Sequence, residues 1–477
     1  MTGAATARSI SFDAVSWTLQ NVLDATHGAA SPHPQPISGF TSVSTDSRRL
    51  DAGALFFALR GEQHDGHDFV VDALRNGAAA AVVDHPVFGV PAAQLIRVTD
   101  TLVALGDLAA WTRRRCRAQV VAVTGSNGKT TTKELIASVC SAAAPVAGVL
   151  KSAGNFNNLI GLPLTLLQMR GDESVAVLEM GMNHPGEIAR LAEIARPDFA
   201  VITNVGSAHL EGIGGTLAGV AAAKGELIAS LSPDATIAIN ADDERLRRLG
   251  ALFRGRQVTF GRGGDVRARN VVDRRAAGVT FDLMVGDQSA AVHLRLIGGH
   301  NVQNALAAAA VGHAMALSLP VIAAGLAEAR GPAMRMAACR LANGVTVIND
   351  AYNANPSSVE AALMALRRFS GRSVAVLGEM WELGDESRRA HFAIGERAAS
   401  LGVRELYLLG TQAEAMAAGA RAGGMRSDAV YVCSSHAEVA AAVVARWQPG
   451  DTVLVKGSRG MKMEEVVRLL EGAGSSP

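Results

Sequence analysis

Residues 121–134 read VAVTGSNGKTTTKE. An apolar run breaks into a loop with two glycines, and a lysine with three threonines opens a helical stretch. A strand–loop–helix turn of this kind gathers backbone N–H groups at one spot, and the helix dipole adds partial positive charge there. The general phosphate-loop pattern wants a glycine five positions before the one preceding the lysine. Counting back from Gly128 reaches Val123, still in the strand, and the available glycine is Gly125. The loop is short. Read as a nucleotide site, Gly125, Ser126, Asn127, Gly128 and Thr131 supply amides to a triphosphate. Lys129 then brings a full charge to the outer phosphates, and Thr130 a hydroxyl for Mg²⁺. Read as an ordinary glycine-rich turn, the loop has no such role.

The flanking segments favour the nucleotide site. VVAVTG, SVAVLEMG (174–181) and FAVITNVG (199–206) are short apolar runs, each ending in a glycine-containing loop before a helical segment. Continuous apolar strands alternating with helices form a parallel sheet covered on both faces, and ligands bind at the carboxyl ends of such strands. Glu179 closes one run, where a charge belongs only if it leaves the core or is paired within it. His209, in NVGSAHLEG, follows another. With Thr130, these two make a reasonable ligand set for a divalent ion beside a nucleotide. Lys224 is the only charge in GTLAGVAAAK, so it is either part of that set or a lysine whose stem lies along the helix while its ammonium reaches water.

Beyond this centre the chain reads as three α/β domains, with boundaries expected at 1–115, 116–330 and 331–477. GALFFAL (53–59) and GHDFVVDALRNGAAAAVVD (66–84) read as strand, loop, helix and strand, and TLVALGDLAAWTRRR (101–115) as a connecting helix. VTF, VTFDLMV and AVHLRLI, within 256–297, read as antiparallel strands appended to the central sheet. From about Gly331 a second doubly wound unit begins, with strands in VTVINDAY, SVAVLGEM, ELYLLG, AVYVC and DTVLVKG. The tail EGAGSSP reads as frayed.

Composition narrows the partners. The 477 residues are 49% hydrophobic and 19% charged, with 45 basic against 44 acidic side chains, so no excess positive charge exists to bind nucleic acid. Arg113, Arg114, Arg115 and Arg117 read as a solvated helix end. Four dispersed cysteines fit a reducing cytoplasm better than a disulfide framework or zinc site. The apolar stretch 306–329 is interrupted by His313, Ser318 and Pro320, so two buried helices explain it better than a membrane span. The residues do not specify an oligomeric state, and a monomer is the expectation.

The loop T-G-S-N-G-K-T with its short glycine spacing resembles that of the Mur ligases, ATP-dependent enzymes of cytoplasmic peptidoglycan-precursor synthesis. STDSRRLDAGALFFALRGEQHDGHDFV (44–70) is similar to that family's UDP-substrate domain. GNFNNLIGLPLTLL (154–167), LEMGMNHPGEI (178–188) and AHLEGIGGTLAGVAAAKGE (208–226) resemble its central ATPase domain. NDAYNANPSS (349–358), LGEMWELGDES (377–387) and VLVKGSRGMKME (453–464) resemble its C-terminal domain. The resemblance implies an N-terminal α/β UDP-substrate domain, a central P-loop ATPase-like, mostly parallel sheet and a C-terminal Rossmann-like doubly wound domain.

Within the family, YNANPSS, LGEMWELG and GNFNNLIG point to the member that joins D-alanyl-D-alanine to UDP-N-acetylmuramoyl-tripeptide, a step of cell-wall biogenesis that serves cell shape and division. Carried over by position, Lys129 and the amides of 125–131 hold ATP, while Thr130 and Glu179 bind one Mg²⁺ and His209 helps bind a second. Lys224 matches a lysine that several members carbamylate into a metal ligand. Asn301 and Asn304 match residues facing the adenine, and Asp350 a ribose contact. Ser47 and Arg48 match uridine-diphosphate contacts, and Asn155 and Asn158 face the peptide and catalytic centre. Arg335 is the best match for a phosphate-contacting arginine, although Met334 stands where the family has glycine. Another Mur step, a folylpolyglutamate synthetase or a non-catalytic nucleotide-binding switch remain as alternatives.

Overall fold

The computed structural model describes residues 17–31, 37, 39–144, 148–206, 211–213 and 216–474. The chain divides into two compact units. One comprises Met1–Ala122, Ala144–Met180 and Ala189–Asp198; the other comprises Val123–Ala143, Gly181–Ile188 and Phe199–Pro477.

In the first unit β1 (Ala29–Ala30), β2 (Val43–Ser44), β3 (Leu55–Phe57), β4 (Ala80–Val83) and β5 (Leu95–Arg97) form a sheet in the order β1-β5-β4-β3-β2. All neighbours are parallel except β1. Every residue of LFF and AAVV is buried, as a sheet covered on both faces demands, and Phe56, Val70, Ala81 and Leu95 pack in its core. Helix Thr101–Arg115 starts where Asp100 accepts hydrogen bonds from the amides of Leu102 and Val103, at 2.8 and 2.9 Å. Its far end departs from the expected solvated arginine cluster. Arg114, Arg115 and Arg117 are exposed, but Arg113 is buried. The Arg113 guanidinium donates to the carbonyls of Ala195, Cys116 and Arg196 and pairs with Asp198 at 2.9 Å, so it caps the end of helix Glu187–Ala195.

Strand β6 (Gln119–Thr124) is divided between the units, its first four residues falling in the first and Val123 and Thr124 in the second. On the first unit's side the sheet continues through β8 (Glu173–Glu179) to β7 (Gly148–Lys151). On the second unit's side it continues through β9 (Phe199–Ile202), β10 (Thr236–Asn240), β11 (Arg256–Phe260), β12 (Val266–Asp273), β13 (Val279–Val285) and β14 (Gln288–Leu294). The antiparallel reading of residues 256–297 needs one correction. β11 pairs parallel with β10 over five residues and parallel with β12 at Phe260 and Val266, and only the β12–β13 and β13–β14 pairings are antiparallel. The expected two-helix reading of 306–329 matches helices His300–Ala314 and Leu319–Glu328, the second with Pro320 in its first turn.

The six-stranded sheet comprises β15 (Ala337–Arg340), β16 (Thr346–Asp350), β17 (Ser373–Leu377), β18 (Glu405–Leu409), β19 (Val430–Cys433) and β20 (Thr452–Lys456), in the order β15-β16-β20-β17-β18-β19. Strands β16 to β20 are parallel, with antiparallel β15 on one edge. Separate apolar clusters, one around Leu363, Leu406 and Leu454 and one around Tyr407, Val453 and Val466, fill its two helix-covered faces. The end of the chain is more ordered than its composition suggests: Glu471–Gly474 belong to helix Glu464–Gly474, and Ser475–Pro477 lie outside the described residues. Among the described residues no helix is long and apolar enough to cross a membrane.

Candidate active site

The short loop is possible because two glycines take conformations that side chains resist. Gly125 has φ +147°, and a Cβ there would sit 1.9 Å from Thr203 Oγ1. Gly128 has φ +79°, and its Cβ would sit 2.2 Å from Asn304 Oδ1. The loop is thus pressed between the end of β9 and helix His300–Ala314. A Cβ at either position would require both a left-handed backbone and a displaced neighbour. Between the glycines, Asn127 donates its amide to Asn204 Oδ1 (3.0 Å) and accepts from Thr203 Oγ1 (2.6 Å) on its carbonyl.

A cavity of about 690 Å³ opens over this loop in the second unit. Ser126, Asn127, Gly128, Lys129, Thr130 and Thr131 form one wall, with Asn301 and Asn304 beside them. Arg335, Asp350, Asn353, Asn355, Ser357 and Lys456, all from the segment that carries the six-stranded sheet, form another. Ten of the expected nucleotide contacts therefore line one space. Gly125 does not line it; its carbonyl accepts from Lys129 Nζ at 2.8 Å.

The fit to an anionic ligand is specific. Arg335 donates through Nη2 to Thr130 Oγ1 (3.0 Å) and lies over the Tyr352 ring at 4.2 Å, while its buried Nε has no hydrogen-bond partner. A guanidinium lining a cavity beside the phosphate loop is suited to an anionic phosphate group. Met334 has φ +57°, a left-handed backbone that glycine adopts without strain. The residue that stands where glycine is expected thus takes a backbone conformation that favours glycine. Asn301 and Asn304 are bonded to each other (2.8 Å), and Asn301 also donates to Ile297 O (2.8 Å), so their placement against the cavity is fixed from within.

Lys224 contradicts the bland reading of a lysine that reaches water. It is 1% exposed, and burial, helped by repulsion from Lys129, holds its ammonium well below the usual lysine range. His209 lies outside the described residues.

In the first unit Glu179 ends β8 at 2% exposure, accepting from Asn157 Nδ2 at 2.9 Å, while its buried Oε2 has no hydrogen-bond partner. An unsatisfied buried carboxylate oxygen suits a hard cation such as Mg²⁺. Asn158 caps the segment leading to helix Gly161–Leu166, accepting from the Ile160 and Gly161 amides, and Asn155 is exposed. Arg48 is exposed and held in a two-pronged pair with Asp46, both contacts at 2.9 Å. The Arg48 guanidinium keeps the Asp46 carboxyl down at about 2. Ser47 accepts from Asn76 through its carbonyl, which leaves its hydroxyl out of that bond.

Among the described residues one group of three, Asp65, His67 and His85, comes close enough to suggest a metal site. Both His67 ring nitrogens are already used, one with Asp65 Oδ1 (2.6 Å) and one accepting the Asp84 amide (3.2 Å). The Arg60 guanidinium stands beside Asp84 and His85, at 2.8 and 3.1 Å. The place of a cation is taken by an arginine.

Sequence reasoning missed Lys456, Asn355, Ser357 and Asn157. Lys456 was within reach: it ends the apolar run TVLV as Glu179 ends VAVL. Its Nζ donates to Asp350 Oδ2 (2.6 Å) and Asn353 O (2.8 Å).

Residues 39–112 match the model described as "Mur ligase family, catalytic domain", 123–312 the Mur ligase middle domain, and 334–459 the "Mur ligase, glutamate ligase domain". The chain is 39% identical to the UDP-N-acetylmuramoyl-tripeptide--D-alanyl-D-alanine ligase of Escherichia coli (strain K12), covering 91% of this chain and 94% of that one. It is 35% identical to the ligase of the same name from Bacillus subtilis (strain 168), covering 94% and 97%. A crystal structure of MurF from Acinetobacter baumannii superposes with a TM-score of 0.88 at 34% identity, over 96% of this chain and 99% of that one. MurF ligase from Thermotoga maritima, solved in complex with ADP, gives 0.81 at 31% identity, over 91% and 97%. Three family models in sequence order, and relatives matched along nine-tenths of its length, establish that this chain belongs to the Mur ligase family.

Proposed function

We propose that this chain is an ATP-dependent amide ligase that joins D-alanyl-D-alanine to the terminal carboxylate of UDP-N-acetylmuramoyl-tripeptide in peptidoglycan-precursor synthesis. The observation that carries this reading is the cavity whose walls come from the phosphate loop and from the segment carrying the six-stranded sheet, with Lys129, Thr130 and Arg335 lining it. The names of the relatives supply the substrates.

The chemistry needs no protein nucleophile. A carboxylate resists amines because oxide is a poor leaving group. Moving the γ-phosphoryl group of ATP onto the tripeptide carboxylate gives an acyl phosphate, and attack by the dipeptide amine then expels phosphate. Lys129 and Arg335 lower the repulsion between two anionic reactants and hold them in line. Asp350 positions the ribose, with Asn301 and Asn304 at the adenine. Ser47 and Arg48 take the uridine diphosphate, and Asn155 and Asn158 the peptide. Mg²⁺, two ions in this reading, supplies further charge neutralisation when bound, with Thr130, Glu179, His209 and a carbamylated Lys224 as ligands. Burial favours the neutral amine of Lys224, the form that adds carbon dioxide. The reading places a monomer in the cytoplasm, with domains at 1–115, 116–330 and 331–477.

Mass spectrometry of the product from ATP, UDP-N-acetylmuramoyl-tripeptide and D-alanyl-D-alanine tests it. A pentapeptide product with equimolar phosphate is expected. Phosphate release that ignores both acceptors would leave a nucleotide switch, and release with another amine would leave another ligase step.

A further inference from the structure

The phosphate loop is fastened to the six-stranded-sheet segment by a closed ring of side-chain hydrogen bonds. Asn355 Nδ2 donates to Asn127 Oδ1 at 2.8 Å. Asn127 Nδ2 donates to Ser357 Oγ at 2.8 Å, and Ser357 Oγ donates to Asn355 Oδ1 at 3.0 Å. Two primary amides and one hydroxyl thus close a cycle in which each donor meets an acceptor.

Each amide is itself held in place. The Asn127 main chain is bonded to Thr203 and Asn204 beyond β9, as described above. Asn355 caps helix Pro356–Leu366, its Oδ1 accepting from the Ser358 amide at 2.9 Å while the Ser358 hydroxyl accepts from the Asn355 amide at 2.9 Å. Lys129 and Thr130 follow Asn127 by two and three residues, so any tilt of Asn127 is passed on to them.

We propose that Asn127, Asn355 and Ser357 form a positioning ring that couples docking of the C-terminal sheet to the geometry of the phosphate loop, so that ATP binding and docking reinforce each other. Asn127 acts here through its side chain, while its N–H and carbonyl, expected from the sequence to serve the phosphates, are held by Asn204 and Thr203. What the ring does in turnover rests on the ligase reading; its test needs only ATP binding. Two net hydrogen bonds correspond to a change of roughly tenfold in a coupled equilibrium.

A double-mutant cycle on the full chain tests the ring, with Asn127→Ala, Asn355→Ser and both together. Serine keeps an oxygen for the helix cap and is too short to reach Asn127. Calorimetry with a non-hydrolysable ATP analogue and Mg²⁺ should show each single variant weakened about tenfold and the double variant no weaker than either single, with melting midpoints held. Losses that multiply in the double variant, or unchanged affinity in either single one, overturn the ring. So does a fall in melting midpoint that accounts for the weakened binding. Phosphate release by the wild type, given both acceptors, is read separately. A wild type that shows the binding cycle without turnover keeps the ring and removes the ligase reading.

Discussion

Replacing Lys456 by methionine isolates how the C-terminal wall of the cavity is built. Lys456 is 3% exposed at the end of β20, and Asp350, at the end of parallel β16, is 8% exposed. The ammonium donates to Asp350 Oδ2 and to Asn353 O; Asp350 Oδ1 accepts the Met336 amide at 3.0 Å. Methionine fills nearly the same volume, so little packing is lost. What remains is a buried carboxylate with one oxygen unpaired. Breaking a buried pair from one side costs about 3–5 kcal/mol, because the surviving charge keeps its desolvation penalty. At roughly 2–4 °C per kcal/mol for a domain of ordinary size, the melting midpoint of the C-terminal portion should fall by about 6–20 °C. Scanning calorimetry of the full chain measures it. Asp350→Asn in the Lys456→Met background removes the orphaned charge while an amide oxygen still accepts from Met336, and should recover more than half of the loss. A single variant melting within about 2 °C of wild type, or a double variant that recovers nothing, would refute the reasoning.

Gly128→Ala should weaken ATP binding at least tenfold, since its Cβ would lie 2.2 Å from Asn304 Oδ1 at φ +79°; unchanged affinity in calorimetry would show that the loop moves freely. Met334→Gly should be neutral or stabilising by up to about 1 kcal/mol, whereas Met334→Val should destabilise, because a β-branched residue tolerates left-handed backbone poorly. Melting curves in the opposite order would sink that account. Lys224→Met should abolish phosphate release if the lysine supplies a metal ligand, and full activity would remove that role. Because burial lowers the Lys224 pKa in the fold, the wild type gains stability as pH rises from that lowered value towards the unfolded value near 10.5. In carbon-dioxide-free buffer the variant's advantage in melting midpoint should therefore be largest at low pH and shrink through that window. A constant gap would mean that the ammonium is not buried as described.

Much of the site was legible because charge at the end of an apolar strand is hard to explain otherwise. Glu179 announces itself in this way and Lys456 carries the same signal, whereas Lys129 is read from the loop pattern and Asp350 only from the family resemblance. Arg113 was misread as solvated, although helical spacing places it in line with Leu105 and Ala109, both fully buried. Its polar partners, the Ala195 and Arg196 carbonyls, are 82 and 83 residues away and leave no local mark. β12 was missed for a similar reason: VRARNVVD is mostly half-buried or exposed, so it lacks the apolar continuity that revealed its neighbours. Asn127 and Asn355 are 228 residues apart, and nothing in either segment alone says that their amides meet.

The shortness of the loop and the abundance of asparagine around it have one explanation. A loop with two residues between Gly125 and Gly128 has fewer of its own amides to brace it than the longer pattern provides. Bracing must come from outside, through groups that can donate and accept at once in a narrow space. Primary amides do this better than any other uncharged side chain. Asn204 grips both the N–H and the carbonyl of Asn127, at 3.0 Å each. Asn304 fills the place of a Gly128 side chain and is held by Asn301, and Asn355 takes the Asn127 side chain. None of these groups adds charge, so the loop stays electropositive for a triphosphate while Lys129 and Arg335 remain its cations. A carboxylate in any of these places could accept the same bonds, but it would set an anion beside the phosphates, worth about 4 kcal/mol of repulsion per charge pair at 4 Å near a protein surface.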